Sequence, residues 1–265
     1  MESNNTIKIS TFSELATENR TAEYLFWVGS AGSYDDRAKK ISRAFAKILA
    51  YCNINFAVLG TEESDSGDVA RRAGNEFLFQ MQAMQNIETL KMYQITKIIT
   101  CDPHDYNSLK NEYPDLGGIY EVQHHTEFLY KLLKSEQLKI ESNLLKTKTI
   151  TYHDPCYLGR GNNIVDEPRY LLQKISPKLL EMRRNKQRSL CCGAGGAQMF
   201  KEAEKGQFEV YKVRIDEAME LAPDIIATAC PFCMTMLTDG IKMIDKQQEV
   251  SVLDISEIIV MALGI

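Results

Sequence analysis

Residues 190–200 read LCCGAGGAQMF, and residues 227–237 read ATACPFCMTML. Upstream, HDPCYLGR (153–160) adds one more cysteine. Cys156, the run Cys191–Cys192–Gly193 and the run Cys230–Pro231–Phe232–Cys233 thus form an ordered three-part pattern. The first half of the chain carries the same pattern in other side chains. Ser30 stands in FWVGSAGSYDD (26–36), Asp65 and Ser66 in EESDSGD (62–68), and Asp102 and Asp105 in TCDPHDYNSL (100–109). Ser30, Asp65 and Ser66 precede Cys156, Cys191 and Cys192 by 126 residues, and Asp102 and Asp105 precede Cys230 and Cys233 by 128. Gly67 falls on Gly193 and Pro103 on Pro231. A whole ordered set of matches at a fixed period marks an internal repeat. The chain is two copies of one unit, with five cysteines at the motif positions of the second copy and Ser, Asp, Ser, Asp and Asp in the first.

The local patterns repeat as well. YLFWVG (24–29), NFAVLG (55–60) and KIITC (97–101) read as buried strands, as do TITYH (149–153) and DIIATA (224–229). Apolar residues at helical spacing follow them, in 35–52, in 68–93 as one long helix, near 167–175, and from about 196. Phe77, Met81, Met84 and Leu90 are expected on the core side of the long helix. Strands alternating with helices predict an α/β fold of two tandem, pseudo-twofold related domains, each a mostly parallel sheet flanked by helices. The expected division is a polar tail over 1–20, a first domain over 21–140 without the motif cysteines, and a second over 147–265 with them, joined by a linker near 136–148.

Composition bounds the function. The 265 residues are 44% apolar and 25% charged, which suits a globular chain with a real core. A net charge of −5 gives no nucleic-acid footprint, and the short run Arg183, Arg184, Lys186, Arg188 reads as a solvated loop. No stretch of 18 apolar residues is present, and the polar start MESNNTIKISTFSELATENR is unlike a secretory signal. A cytoplasmic location follows as the expectation. Seven cysteines in a reducing compartment point to metal or redox chemistry rather than disulfides.

Motif residues placed just after strands converge where ligand sites of open α/β sheets gather. Cys230 and Cys233 open a helix, whose free N–H groups favour thiolates. Gly193, Gly195 and Gly196 let the backbone approach a bulky centre. Zinc takes four ligands in a tetrahedron, so five thiolates are one too many, and adjacent cysteines sit poorly on one ion. A polynuclear iron–sulfur cluster accommodates them better; zinc and a metal-free thiol site remain the alternatives. Cys52 and Cys101 lie off the repeat and read as small buried hydrophobes. His153, three residues before Cys156, is a candidate hydrogen-bond donor to a thiolate, whereas His124 and His125 read as supporting or surface residues. Asp65, Asp102 and Asp105 would repel one another, raising at least one pKa, and would seek water, Arg71 or Arg72, or a hard cation.

The three-part pattern resembles the CCG cysteine-rich domain of the B component of heterodisulfide reductase. Similar domains occur in the iron–sulfur component of lactate utilisation systems, in the C component of anaerobic glycerol-3-phosphate dehydrogenase and in the E component of succinate dehydrogenase. The resemblance runs from about residue 24 to the end. It implies a [4Fe–4S] cluster of the non-cubane type, with Cys156, Cys191, Cys192, Cys230 and Cys233 as its ligands, and a first motif that has lost its own cluster.

The resemblance further implies an electron-transfer subunit of an oxidoreductase complex, with a ferredoxin-like iron–sulfur protein or a flavoprotein as redox partner. Any contact with a membrane is expected through that partner. No C-x2-C-x2-C-x3-C-P run and no G-x-G-x-x-G after a strand is present, so the chain carries no signature of an ordinary ferredoxin cluster, a flavin or a nicotinamide. Two alternatives stay open: a catalytic subunit reducing a disulfide or thiol-type substrate at the single cluster, and a zinc-stabilised interaction module.

Overall fold

In a computed structural model of the chain, residues 8–141, 144–202, 206 and 208–265 are described. The first half runs α1 (Phe12–Thr17), β1 (Tyr24–Trp27), α2 (Gly29–Tyr34), α3 (Ala38–Tyr51), β2 (Phe56–Ala57), α4 (Asp68–Arg72), α5 (Glu76–Met92), β3 (Lys97–Thr100), α6 (Pro103–Asn107), β4 (Glu121–His124) and α7 (His125–Lys134). The second runs β5 (Ile150–Tyr152), α8 (Asp166–Ile175), β6 (Leu179–Leu180), α9 (Val210–Met219), β7 (Ile225–Thr228), α10 (Pro231–Met243), β8 (Ser251–Asp254) and α11 (Ile255–Leu263).

Each half builds a four-stranded parallel sheet, in the orders β2-β1-β3-β4 and β6-β5-β7-β8. The two orders are the same order repeated. The central strands are buried on both faces, Leu25–Trp27 against Ile98–Thr100 and Ile150–Tyr152 against Ile225–Ala227, as parallel strands covered by helices are. Helices of one half pack on helices of the other reciprocally: α3 lies on α11, and α7 on α8. One continuous apolar core, from Phe12 to Ala262, therefore joins the sheets. The Arg37 guanidinium crosses the seam to both carboxylate oxygens of Glu257 at 2.8 Å and to the Val252 carbonyl at 3.0 Å.

Several local expectations are revised. The long helix is broken in two, because Gly74 turns left-handed at φ +85° and the Asn75 side chain caps α5 by accepting from the Leu78 N–H. The core face of α5 is Phe79, Ala83, Asn86, Ile87 and Leu90, while Phe77, Met81 and Met84 are 76%, 55% and 46% exposed. The buried amide of Asn86 fixes this orientation: it donates to the Asp65 carbonyl (2.9 Å) and the Tyr113 hydroxyl (3.0 Å) and accepts from the Ser64 N–H (3.3 Å). Residues 196–200 are not α-helical; Gly196 and Ala197 at φ +68° and +61° leave a single 3-10 turn over Gln198–Phe200. The helix expected from about 196, the linker near 136–148 and the start of the polar tail extend in part onto residues outside those described. Within the leading stretch, Thr11 caps α1 in a capping box and Phe12 and Leu15 are buried.

Candidate metal centre

The segments of Ser30, Asp102–Asp105, Cys156 and Cys230–Cys233 leave the carboxyl ends of β1, β3, β5 and β7, the loops with Asp65–Ser66 and Cys191–Cys192 follow β2 and β6, and they meet at the seam between the sheets. Cys156 opens a turn after β5. Cys191 and Cys192 lie in a loop that Gly193 reverses at φ +93°, a conformation glycine takes without strain, and the Gly193 N–H donates to the Cys191 sulfur at 3.3 Å. Cys230 caps α10, its sulfur accepting the Cys233 N–H at 3.5 Å. Pro231 suits the first helical position because no N–H is needed there.

The five sulfurs lie close enough to shift one another's ionisation in the order Cys156, Cys191, Cys192, Cys233, Cys230. Cys192, Cys230 and Cys233 are buried, and Cys156 and Cys191 are partly so. Its neighbours Cys156 and Cys192, helped by the Gly193 N–H, outweigh burial and hold the Cys191 thiol well below its ordinary value. Cys156 is in turn pushed up by Cys191 and by burial. Cys192 is raised chiefly by Cys191, and Cys233 by Cys192 and Cys230 and by burial. Burial raises Cys230 too, but hydrogen bonds from Cys233 and His104 bring it to about 7. Thiolates this close repel, so all five ionise together only around a cationic centre.

A buried polar atom faces the same point. His153 is fully buried, and its Nδ1 accepts from the Arg214 Nε–H at 2.9 Å. Arginine is always a donor, so the imidazole must carry its proton on Nε2. Burial and the Arg214 charge hold its pKa well below the usual value, which keeps the ring neutral. Nε2 has no hydrogen-bond partner among the described residues, yet a ring nitrogen lies within 4.8 Å of the Cys192 and Cys233 sulfurs. Five soft sulfurs with an N–H donor behind them can hold a soft metal centre; hard cations prefer oxygen.

The first motif is paired within itself at Ser30 and Asp65. The Ser30 hydroxyl donates to Asp65 Oδ2 at 2.6 Å, and the Gly67 N–H to Asp65 Oδ1 at 2.8 Å. Asp102 caps α6 by accepting the His104 N–H at 2.8 Å. Asp105 is buried against Gly29, and its Oδ2 has no hydrogen-bond partner among the described residues. Burial, then the charge of Asp102, lifts its pKa well above the carboxylate range. Asp65, Asp102 and Asp105 are not brought together as three donors within 4.8 Å. Arg71 and Arg72 turn to other acids: Arg71 to Glu76 and Glu112, Arg72 to Asp68 and Glu112.

His124 and His125 are not surface residues: both are fully buried. His124 caps α7, and His125 Nε2 lies 3.2 Å from Asp254 Oδ1 across the seam. His104 was missed as a site residue. Its Nδ1 sits 2.8 Å from Asp102 Oδ1 and 4.0 Å from the Cys230 sulfur. The signal was available in the repeat, which sets His104 opposite Phe232, between the two cysteines of the last motif. Gly195 faces it: a Cβ there would stand 3.9 Å from His104 Nε2. Cys101 is buried in the core and Cys52 packs against it. An apolar cavity of about 310 Å³ opens beside the centre, lined by Tyr34, Val69, Met199, Phe200 and Phe232. No helix among the described residues is long and apolar enough to cross a membrane.

The cysteine-rich domain family designated CCG matches residues 24–110 and again 150–238. The chain is 46% identical over 253 residues to a probable iron-sulfur-binding oxidoreductase, FadF, of Bacillus subtilis, covering 95% of this chain and 36% of that one. It is 41% identical to the EtfAB:quinone oxidoreductase of Syntrophomonas wolfei, over 92% of this chain and 35% of that protein. It is 33% identical to the D component of the dihydromethanophenazine:CoB--CoM heterodisulfide reductase of Methanosarcina barkeri, over 92% and 60%. The chain thus spans about a third of the length of the first two relatives. A crystal structure of a hypothetical protein from Helicobacter pylori shares the fold, with a TM-score of 0.55 at 10% identity, over 91% of this chain and 49% of that one.

Proposed function

The chain belongs to the CCG cysteine-rich domain family, and on that premise we propose that it is an iron–sulfur electron-transfer unit of an oxidoreductase, with one [4Fe–4S] cluster of the non-cubane type in its second half. The observation that carries this reading is the convergence of five sulfurs from three separate segments of one half, opposite a first motif that offers oxygens, with Ser30 donating to Asp65, in place of sulfur. Cys156, Cys191, Cys192, Cys230 and Cys233 would hold the cluster, which supplies one-electron chemistry when bound. The polypeptide's part is to shield the sulfurs, to present the His153 Nε2–H, and through the glycine loop to let a partner come close. The names of the relatives support a partner of redox type, with EtfAB and a quinone in one case. Residues 193–200 form the docking edge in this reading, and Met199 and Phe200 line the cavity beside it.

The test is anaerobic purification followed by iron and sulfide analysis and EPR, on the parent and on Cys192→Ser and Cys233→Ser. About four irons in the parent and a lost or altered signal in both variants are expected, because a hydroxyl is a far poorer iron ligand than a thiolate. Zinc in place of iron, or unchanged iron and spectra in both variants, overturns the assignment. The apolar cavity favours a second reading, in which a small disulfide is reduced beside the cluster; rapid turnover of such a substrate with only a chemical reductant would select it.

A further inference from the structure

We propose that the first half supplies a residue to the second half's sulfur centre: His104, positioned by Asp102, is a nitrogen contact of the Cys230 sulfur and tunes the cluster that sulfur would hold. The inference rests on the iron–sulfur reading above. The ring is anchored, since Asp102 Oδ1 lies 2.8 Å from both the backbone nitrogen and Nδ1 of His104. It is also wedged among all three cysteine-bearing segments. Tyr157, next to Cys156, lies against the ring with centroids 4.3 Å apart and planes tilted by 46°. Phe232, between Cys230 and Cys233, meets the ring edge-on at 5.0 Å. Gly195, three residues after Cys192, leaves the space that Nε2 faces.

Asp102, His104 and Cys230 place their ligating atoms within 4.8 Å of one another, all buried. Both contacts are made by Nδ1, 2.8 Å from Asp102 Oδ1 and 4.0 Å from the Cys230 sulfur, so its one proton is shared between carboxylate and sulfur, and in so dry a setting even that polarised N–H acts on the sulfur far more strongly than in water. Hydrogen bonds to cluster sulfurs are among the determinants of reduction potential, because they stabilise the more negative, reduced state. A ring that only filled space would need no nitrogen, and Phe232 does that work at the equivalent position of the other copy. The Asp102 carboxylate spent on His104 argues for a used nitrogen. Where the second copy carries Cys230 and Phe232, the first thus carries an Asp–His pair directed at its neighbour.

The experiment compares the parent with His104→Phe, His104→Gln and Asp102→Asn in the full chain, purified anaerobically with ¹⁵N-histidine. Iron content, pulsed-EPR nitrogen coupling and midpoint potential are read. His104→Phe keeps the ring packing and should keep its iron. It should lose one nitrogen coupling and lower the ratio of reduced to oxidised cluster at fixed poise by about threefold or more. His104→Gln, which keeps an N–H, should recover part of that shift, and Asp102→Asn should fall between. Equal nitrogen coupling and potential in parent and His104→Phe, with iron present in both, assign the ring to packing and overturn the inference alone. A parent without iron overturns the reading beneath it, and the two failures are thereby distinct.

Discussion

His104 and Phe232 occupy the same position in the two copies, and their rings meet across the seam at 5.0 Å with an interplanar angle of 82°. The equivalence extends to their neighbours. Asp102 caps α6 with a carboxylate and Cys230 caps α10 with a sulfur, each accepting from the first turn of its helix. The turn survives the exchange of side chain because its geometry comes from the cap and the following proline, not from sulfur. The two copies therefore keep one backbone turn while presenting different capping atoms.

Arg214 is the support for His153 and is fully buried, bonding to His153 Nδ1 and the Arg184 carbonyl at 2.9 Å and to Glu217 at 3.3 Å. Arg214→Met strands part of that network, and a loss of about 3 kcal/mol of stability is expected in denaturant melts. Arg184→Met, whose side chain is 35% exposed, should cost about 1 kcal/mol or less. Equal losses in the two variants would contradict the assignment of Arg214 as the central support.

Gly240 lies where α10 crosses α9, and an added Cβ would sit 2.5 Å from Ile215 Cγ1. Alanine ordinarily gains up to about 1 kcal/mol over glycine inside a helix. Here overpacking costs about 1–3 kcal/mol, so Gly240→Ala should come out destabilised. Gly161→Ala, whose Cβ meets nothing nearer than 3.8 Å, is the control and should show no overpacking loss. A stabilised Gly240→Ala protein would show that α9 moves aside freely.

The doubling, the α/β class and the strands leading into the motifs were legible because each depends on local pattern or on exact spacing. The strands β4 and β8 were not, since EVQH and SVLD are short and half polar. The face of α5 was misjudged for a related reason. Its bulkiest residues mark one side, but the partners of Asn86 lie 21 to 27 positions away in sequence, and they decide which side is buried. His125 was unreadable in the same way, because Asp254 comes from the other copy.

Glu63 gives the protein a pH signature. Its carboxylate accepts the N–H groups of Val28 at 3.1 Å and Gly29 at 2.6 Å, yet burial outweighs them and lifts its pKa from 4.5 to about 7. Between those values the folded state binds more protons than the unfolded one, so stability falls as pH rises through the window. The contribution is present in full below 4.5 and gone above 7, with an upper limit of about 3 kcal/mol, reduced because the residue is only half-buried. Glu63→Gln should flatten the difference between urea midpoints measured at pH 5 and pH 8. An undiminished difference in the variant would place the titration elsewhere.

Asp105 tests what became of the first motif. Its buried Oδ2 has no hydrogen-bond partner among the described residues, and Asp102, Asp65 and Glu63 add repulsion to the cost of burial. The raised pKa means that the folded state holds its proton where the unfolded chain releases it, so this carboxyl costs stability as pH rises above 3.8. Asp105→Asn keeps the shape and removes the charge. It should raise the melting temperature at neutral pH, give no gain near pH 4, and leave the iron content unchanged. Because Asp65, Asp102 and Asp105 do not gather as a donor trio, Mg²⁺ and Ca²⁺ should not shift the melting temperature of parent or variant. A shift with either cation in the parent alone would show that the oxygens at the first copy's motif positions bind a hard metal, and a fall in iron on Asp105→Asn would show that the first half helps to hold it.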